Sequence, residues 1–227
     1  MTIGFTSEKR VHAVGPANQP KLAIVGMAPA AEELIHGKPF MGPAGHRLDE
    51  GLSSNGIRRS DVYITNISER AIPVGNSLFN LPDNLLEPEI ERFWREIEKV
   101  RPNCLLVLGG DTLNIVTGRG SLVNGKGGRF VTGAVNWRGS ILSSRRHNIK
   151  CVASLHPAFI IRGMFKWLPV FKHIDMARWK ENGEFPDIRY PKRTALVSPN
   201  FKTCLDYIKE CEQHDLLSFD IETVGYQ

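Results

Sequence analysis

The chain has 227 residues, 41% hydrophobic and 23% charged, which is ordinary for a soluble globular protein and long enough for one well-buried α/β domain plus a small remainder. No apolar run reaches transmembrane length and the N-terminus lacks a signal-peptide core, so the expectation is an intracellular (cytoplasmic) protein with no membrane partner. A formal net charge of +5 and a pI near 9.1 fit a polyanionic partner without demanding one.

Residues 1–20 are polar, broken by Gly15, Pro16 and Pro20, and read as a loosely held lead-in. The short apolar run 22–25 then reads as a buried strand. It ends in Gly26-Met27-Ala28-Pro29-Ala30, where small residues and a proline stop any ladder. A second glycine-rich turn, 39–45, carries Phe40 between the two turns and leads into a helix over 44–55 closed by Gly56. Small residues let a ligand approach the backbone, and a helix start offers free N–H groups. Residues 61–66 are the second strand, with Thr65 and Asn66 at its carboxyl end, and 71–86 form a long loop.

Glu87-Pro88 opens a helix whose positions Ile90, Phe93, Trp94, Ile97 and Val100 follow helical spacing. A third strand over 103–108 runs into Gly109-Gly110 and a short helix. Residues 118–149 are glycine-rich and alternating, the pattern of a hairpin or ordered loop. Within them Gly120 to Lys126 matches the glycine-lysine spacing of a phosphate-binding loop. Gly127 stands where Ser or Thr should hold magnesium, and the flanking elements are in the wrong order, so nucleotide hydrolysis is not expected. The fourth strand, 150–155, delivers His156-Pro157-Ala158, and a helix over 167–182 ends at Gly183.

Strands alternating with helices predict an α/β fold: a three-layer αβα sandwich around a central four-stranded parallel sheet. Ligands of such sheets bind beyond the carboxyl ends of the strands. Three separated pieces of sequence converge there: the 26–45 turns, Asn66 and His156. A histidine ending a buried strand, an amide able to read donor and acceptor together, and an aromatic ring make a pocket for a planar polar ligand. The four cysteines form no Cys-x-x-Cys pair. Cys104 and Cys151 lie in apolar runs and read as buried small hydrophobes, so neither a disulfide framework nor a metal site is expected.

These motifs resemble the family-4 branch of the uracil-DNA glycosylases. The family pattern Gly-Glu-Ala-Pro-Gly is matched by Gly26-Met27-Ala28-Pro29-Ala30, and Gly-x-Pro-Phe-x-Gly-x-Ala-Gly by Gly37 to Gly45. Tyr-Ile-Thr-Asn is matched by Tyr63 to Asn66, and His-Pro-Ala-x-x-x-Arg by His156 to Arg162. The resemblance implies hydrolytic removal of a flipped uracil from DNA, single-stranded or otherwise. It implies that Gly26, Met27, Ala28 and Phe40 hold the base, that Asn66 bonds its edge, and that His156 stabilises the departing anion. It further implies that Gly42, Gly45, Phe159, Ile160 and Arg162 hold the backbone and fill the vacated stack. Two departures stand out. Met27 replaces an acidic residue that serves water in the family, leaving Glu32 or Glu33 as substitutes. The four cluster cysteines are also missing: Arg70-Ala71 stands near the third position and Phe93-Trp94 near the fourth, so no iron–sulfur cluster is expected.

Residues 186–193 read as a linker, which bounds the glycosylase-like domain at 21–185. Residues 194–227 then give strand, amphipathic helix and strand, ending in Asp220-Ile221-Glu222-Thr223. That ending resembles the first motif of DEDD-type 3′–5′ exonuclease domains, in which Asp220 and Glu222 would share a divalent metal once the domain is complete. Some phage DNA polymerases resemble this order, so the expected partners include polymerase and exonuclease domains in cis in a phage or bacterial protein. Two hypotheses follow, an active glycosylase and a binding module with the same pocket but no chemistry; a structural spacer without DNA contact is a third.

Overall fold

The computed structural model describes residues 3–163, 165–188 and 198–213, and its contacts divide the chain into two units, Met1–Ile188 and Arg189–Gln227. The first unit is built on a five-stranded sheet. Its strands are β1 (Leu22–Gly26), β2 (Tyr63–Asn66), β3 (Cys104–Leu108), β6 (Ile141–Ser143) and β7 (Lys150–Ser154), in the spatial order β2-β1-β3-β7-β6. The first four are parallel, as the sequence predicts. The fifth, β6, is an antiparallel edge strand hidden within the glycine-rich stretch.

Every residue of β1, β2, β3 and β7 is buried, because helices cover both faces. Alternate side chains go to opposite layers. Ala23, Val25, Leu105 and Val107 face α3 (Asp83–Val100) and α4 (Gly110–Thr117), meeting Phe93, Trp94, Ile97 and Val116. Leu22, Ile24, Leu106 and Val152 face the other way, onto Leu48 and Leu52 of α2 (Pro43–Ser54) and Met176 and Trp179 of α8 (Met176–Gly183). The buried Trp179 indole donates to the Cys104 carbonyl at 3.2 Å. Cys104 and Cys151 are fully buried in neighbouring strands, as expected, and burial pushes the Cys104 thiol up to about 12.

Several elements differ from the sequence reading. A short helix, α1 (Ala31–His36), stands between the two predicted turns, where no element is expected, closed by Gly37 in the left-handed region. Helix α3 begins at Asp83, so Pro88 lies inside the helix and not at its opening. Between α4 and β6 stand the hairpin β4 (Ser121–Gly125) and β5 (Gly128–Thr132) and a single turn, α5 (Ala134–Trp137). After β7 come α6 (Pro157–Ile161), a 3₁₀ turn (Phe165–Trp167), α7 (Leu168–Val170) and a π-helical turn (Phe171–Asp175) that runs into α8. The predicted long helix over 167–182 is therefore a relay of three helix types. In the second unit, α9 (Phe201–Cys211) is the predicted amphipathic helix, its Asn200 side chain capping the Thr203 N–H at 2.9 Å. Asp220 and Glu222 lie outside the described residues, as do the two short strands expected around α9. Among the described residues no helix is long and apolar enough to cross a membrane.

The lead-in is not loosely held. Backbone N–H groups of Ile3, Thr6 and Val11 donate to the carbonyls of Asn80, Ala71 and Glu69, and Val14 bridges Ile64. Val11 is only 2% exposed. The polar composition of this strap hides a cluster of charges that bind it. Glu89 of α3, 1% exposed, accepts from the Glu69 backbone N–H at 3.0 Å and pairs with Arg70 at 3.1 Å and Arg10 at 3.2 Å. Glu69 in turn pairs with Arg10 at 3.1 Å and with His12 at 2.8 Å. Arg92 stands against both glutamates and Glu96. Removing one member of a buried charge group strands the others without solvent. Glu89→Ala should therefore cost about 3–5 kcal/mol, read as a lowered midpoint in urea-induced unfolding.

Candidate functional site

A cleft of about 370 Å³ opens at the carboxyl ends of the parallel strands. Ala28, Glu33, Phe40, Asn66, His156 and Arg162 are among its lining residues. A larger depression of about 590 Å³ near the β4–β5 hairpin is lined by Asn80, Asp83, Asn124 and Arg129, with no aromatic ring or histidine. The chemistry is concentrated in the first cleft.

Phe40 is buried, with φ +55, a conformation unusual for a residue with a side chain. The surroundings enforce it. Arg59 donates to the Pro39 carbonyl at 2.7 Å and the Phe40 carbonyl at 3.1 Å while pairing with Asp49 at 2.6 Å. A Cβ on Gly45 would overlap the Phe40 carbonyl, so only glycine lets α2 pass beneath it. The ring stacks with His156, centroids 5.7 Å apart and planes 25° from parallel. Gly26 makes room for the same group. A Cβ there would overlap Asn66 Oδ1 and stand 2.7 Å from Phe40 Cζ.

Asn66 ends β2 opposite Gly26 in the parallel ladder. Its carbonyl and that of Ile67 accept from one nitrogen of Arg92, at 2.7 and 2.8 Å, so the charge cluster of the fold reaches the site directly. His156 is the N-cap of α6, followed by Pro157 at the first helical position. Its Nδ1 accepts the Ala158 N–H at 3.1 Å. The neutral ring therefore carries its proton on Nε2 as a donor. Burial, and then the Arg162 charge, lower the His156 pKa to about 4, against a smaller opposing pull from Glu33. At neutral pH the imidazole is uncharged.

The remaining sequence-predicted residues take other places. Glu33 is a staple and no free acid: its Oε2 accepts the Ala30 N–H at 2.9 Å, and its Oε1 accepts those of Met41 at 2.8 Å and Gly42 at 3.1 Å. The Gly42 N–H is thus already used, although Gly42 lines the cleft, and Gly45 is buried in the service of Phe40. Glu32 is exposed on the rim, 3.7 Å from His36. Met27 packs against the apolar layer under α3 and is not among the lining residues. Ile160 is fully buried in the α2–α8 layer, which corrects the expectation that it fills a vacated stack, while Phe159 packs half-buried onto that layer. Ile161 and Arg162 face the cleft instead.

Arg59, Arg92 and the staple role of Glu33 escaped the sequence reading. Their partners are 26 residues distant (Arg92 and Asn66), 19 (Arg59 and Phe40) and 9 (Glu33 and Gly42), and no local pattern marks them. Nitrogen-detected NMR of His156 should show a neutral Nε2-protonated ring from pH 8 down to about pH 5. The unfolded histidine, near 6.5, binds its proton before the folded one does. Stability should therefore fall as pH drops from about 6.5 to about 4.

Residues 12–179 match the family model described as the Uracil DNA glycosylase superfamily. A type-4 uracil-DNA glycosylase of Thermotoga maritima is 30% identical over 152 residues, covering 66% of this chain and 71% of that protein. Type-4 uracil-DNA glycosylases of Archaeoglobus fulgidus and Pyrobaculum aerophilum are 39% and 37% identical over 89 and 102 residues, covering 39% and 44% of this chain. These two matches span about half of each relative's length, 43% and 50%. With its parallel sheet and its cleft at the carboxyl ends of the strands, the chain belongs to the uracil-DNA glycosylase superfamily.

Proposed function

We propose that the first unit removes uracil from DNA by hydrolysis of the bond between base and sugar. The observation that carries this reading is the neutral His156, donating through Nε2 beside the Phe40 ring and the Asn66 amide. A base inside a duplex is out of reach, so the target nucleotide turns out of the stack into the cleft. Phe40 stacks on the base, and the Asn66 amide offers a donor and an acceptor to its edge. As the bond breaks, electrons move onto the base and a uracil anion leaves. A preorganised N–H aimed at the oxygen that gains charge stabilises that step without reorganisation. A neutral histidine keeps this donor available across the physiological range. Water completes the sugar, and no carboxylate from position 27 assists it. General-base help of that kind is worth roughly 10²- to 10⁴-fold, so Met27 predicts a slow enzyme.

One observation favours a second reading. Met27 packs into the apolar layer and the Glu33 oxygens are occupied, so a carboxylate dedicated to water is missing from the inner cleft. A module that grips uracil-containing or single-stranded DNA without excision fits the same geometry. Incubation with a uracil-containing oligonucleotide and assay for abasic sites separates the two. Excision should be detectable, with His156→Ala and Asn66→Ala each slower by about 10²- to 10³-fold. No abasic product at high protein excess, with binding intact, leaves the module.

The domain is also proposed to work without an iron–sulfur cluster. Cys104 and Cys151, the two cysteines of the first unit, are locked inside the sheet and do not fit a cluster site. Arg70 is paired with Glu89, while Phe93 and Trp94 are buried in the core. The purified protein should be colourless and contain no stoichiometric iron; a brown sample with bound iron overturns this. Attachment to exonuclease and polymerase domains in an intracellular phage or bacterial protein completes the proposal, supported by the sequence of 217–223 alone.

A further inference from the structure

Flipping a base leaves a gap in the stack, and proteins that hold such a distortion insert an apolar side chain into it. Of the two residues first expected to do so, Ile160 is fully buried and Phe159 lies half-buried against the same layer. Another side chain on the rim of the cleft is free. Val74 lines the cleft and is 89% exposed, the most exposed large hydrophobic side chain among the described residues. A single exposed valine is commonplace; its mounting is not.

Val74 occupies the tip of a tight turn whose Asn76 N–H donates to the Pro73 carbonyl at 3.1 Å. Pro73 restricts the entry to the turn, and Gly75 adopts φ +82, which a residue with a side chain rarely does. Both stems are anchored. On one side Ala71 and Ile72 are buried, and the Ala71 carbonyl accepts the Thr6 N–H at 2.8 Å. On the other, the buried Asp111 carboxylate accepts the Ser77 hydroxyl and the Leu78 N–H, each at 2.7 Å. No heavy atom lies within 4 Å of a Cβ built on Gly75, so the outer face of the turn is open to an approaching strand. An apolar group on a rigid mount, at the mouth of a base-sized cleft that also carries the Arg162 cation, is built to push against a stack rather than to bind a soluble ligand.

We infer that Val74 is the wedge that enters the duplex where the flipped base leaves, and so determines the use of duplex over single-stranded DNA. The inference rests on the base-flipping reading above. Single-stranded uracil has no stack to invade, so the wedge matters for duplex alone. Two variants of the full chain test it, Val74→Ser and Val74→Leu, on a uracil oligonucleotide with and without its complement. Val74→Ser should lower kcat/KM on the duplex by about tenfold and leave the single strand within about twofold, while Val74→Leu retains duplex activity. Equal loss on both substrates, or no loss on either, overturns the inference. A second readout does not need excision. In a duplex carrying 2-aminopurine beside the uracil, binding of the unaltered protein should raise the fluorescence, and Val74→Ser should blunt that rise at saturating protein. An unchanged rise in the variant, or none with the unaltered protein, also overturns it. Absence of excision with this fluorescence pattern intact would instead remove the glycosylase reading and keep the wedge.

Discussion

The buried carboxylate of Glu89 is the interaction on which the rest of the domain turns. An isolated charge in that position would be untenable, and it persists because Arg10, Arg70, Arg92 and a backbone N–H surround it. These partners come from three parts of the chain: the N-terminal strap, the loop after β2, and α3 itself. Satisfying one charge therefore ties the strap to the sheet edge and holds the segment that carries Val74. Through Arg92 the same cluster grips the Asn66 and Ile67 carbonyls. Asn66 is positioned by electrostatics that begin in another layer of the fold.

Within the cleft, geometry and charge agree. The glycine at 26 removes the one Cβ that would separate the Asn66 amide from the Phe40 ring. Phe40 holds a left-handed backbone that is costly in isolation, and Arg59 and Gly45 leave it no alternative. His156 is kept neutral by burial and kept in one tautomer by the Ala158 N–H. An imidazolium would face the Arg162 charge in the same cleft. The neutral ring faces no such conflict.

The motif residues were legible because their chemistry is local: glycines at turns, a proline fixing a helix start, an aromatic between two turns. Periodicity alone located the four parallel strands, since each is a short apolar run with both faces covered. Boundaries were weaker. Pro88 read as a helix start because it tolerates the first turn, yet Pro82 and Asp83 begin the helix earlier. The antiparallel β6 was masked by glycines around a stretch of only three strand residues.

Sequence by itself determined the order of strands and helices, the position of Phe40, Asn66 and His156 at one edge, and the methionine at position 27. Each of these depends on residue type and spacing along the chain. The tertiary structure alone decided which carboxylates are free, since Glu33 and Glu89 differ from Glu32 only in what surrounds them. It likewise decided that Ile160 faces the core and Val74 the cleft, and that the polar lead-in is a bound strap. Partners many residues apart set the burial and pairing of these groups. A pattern read along the chain carries the identity of a side chain, but not which neighbour desolvates it or neutralises its charge.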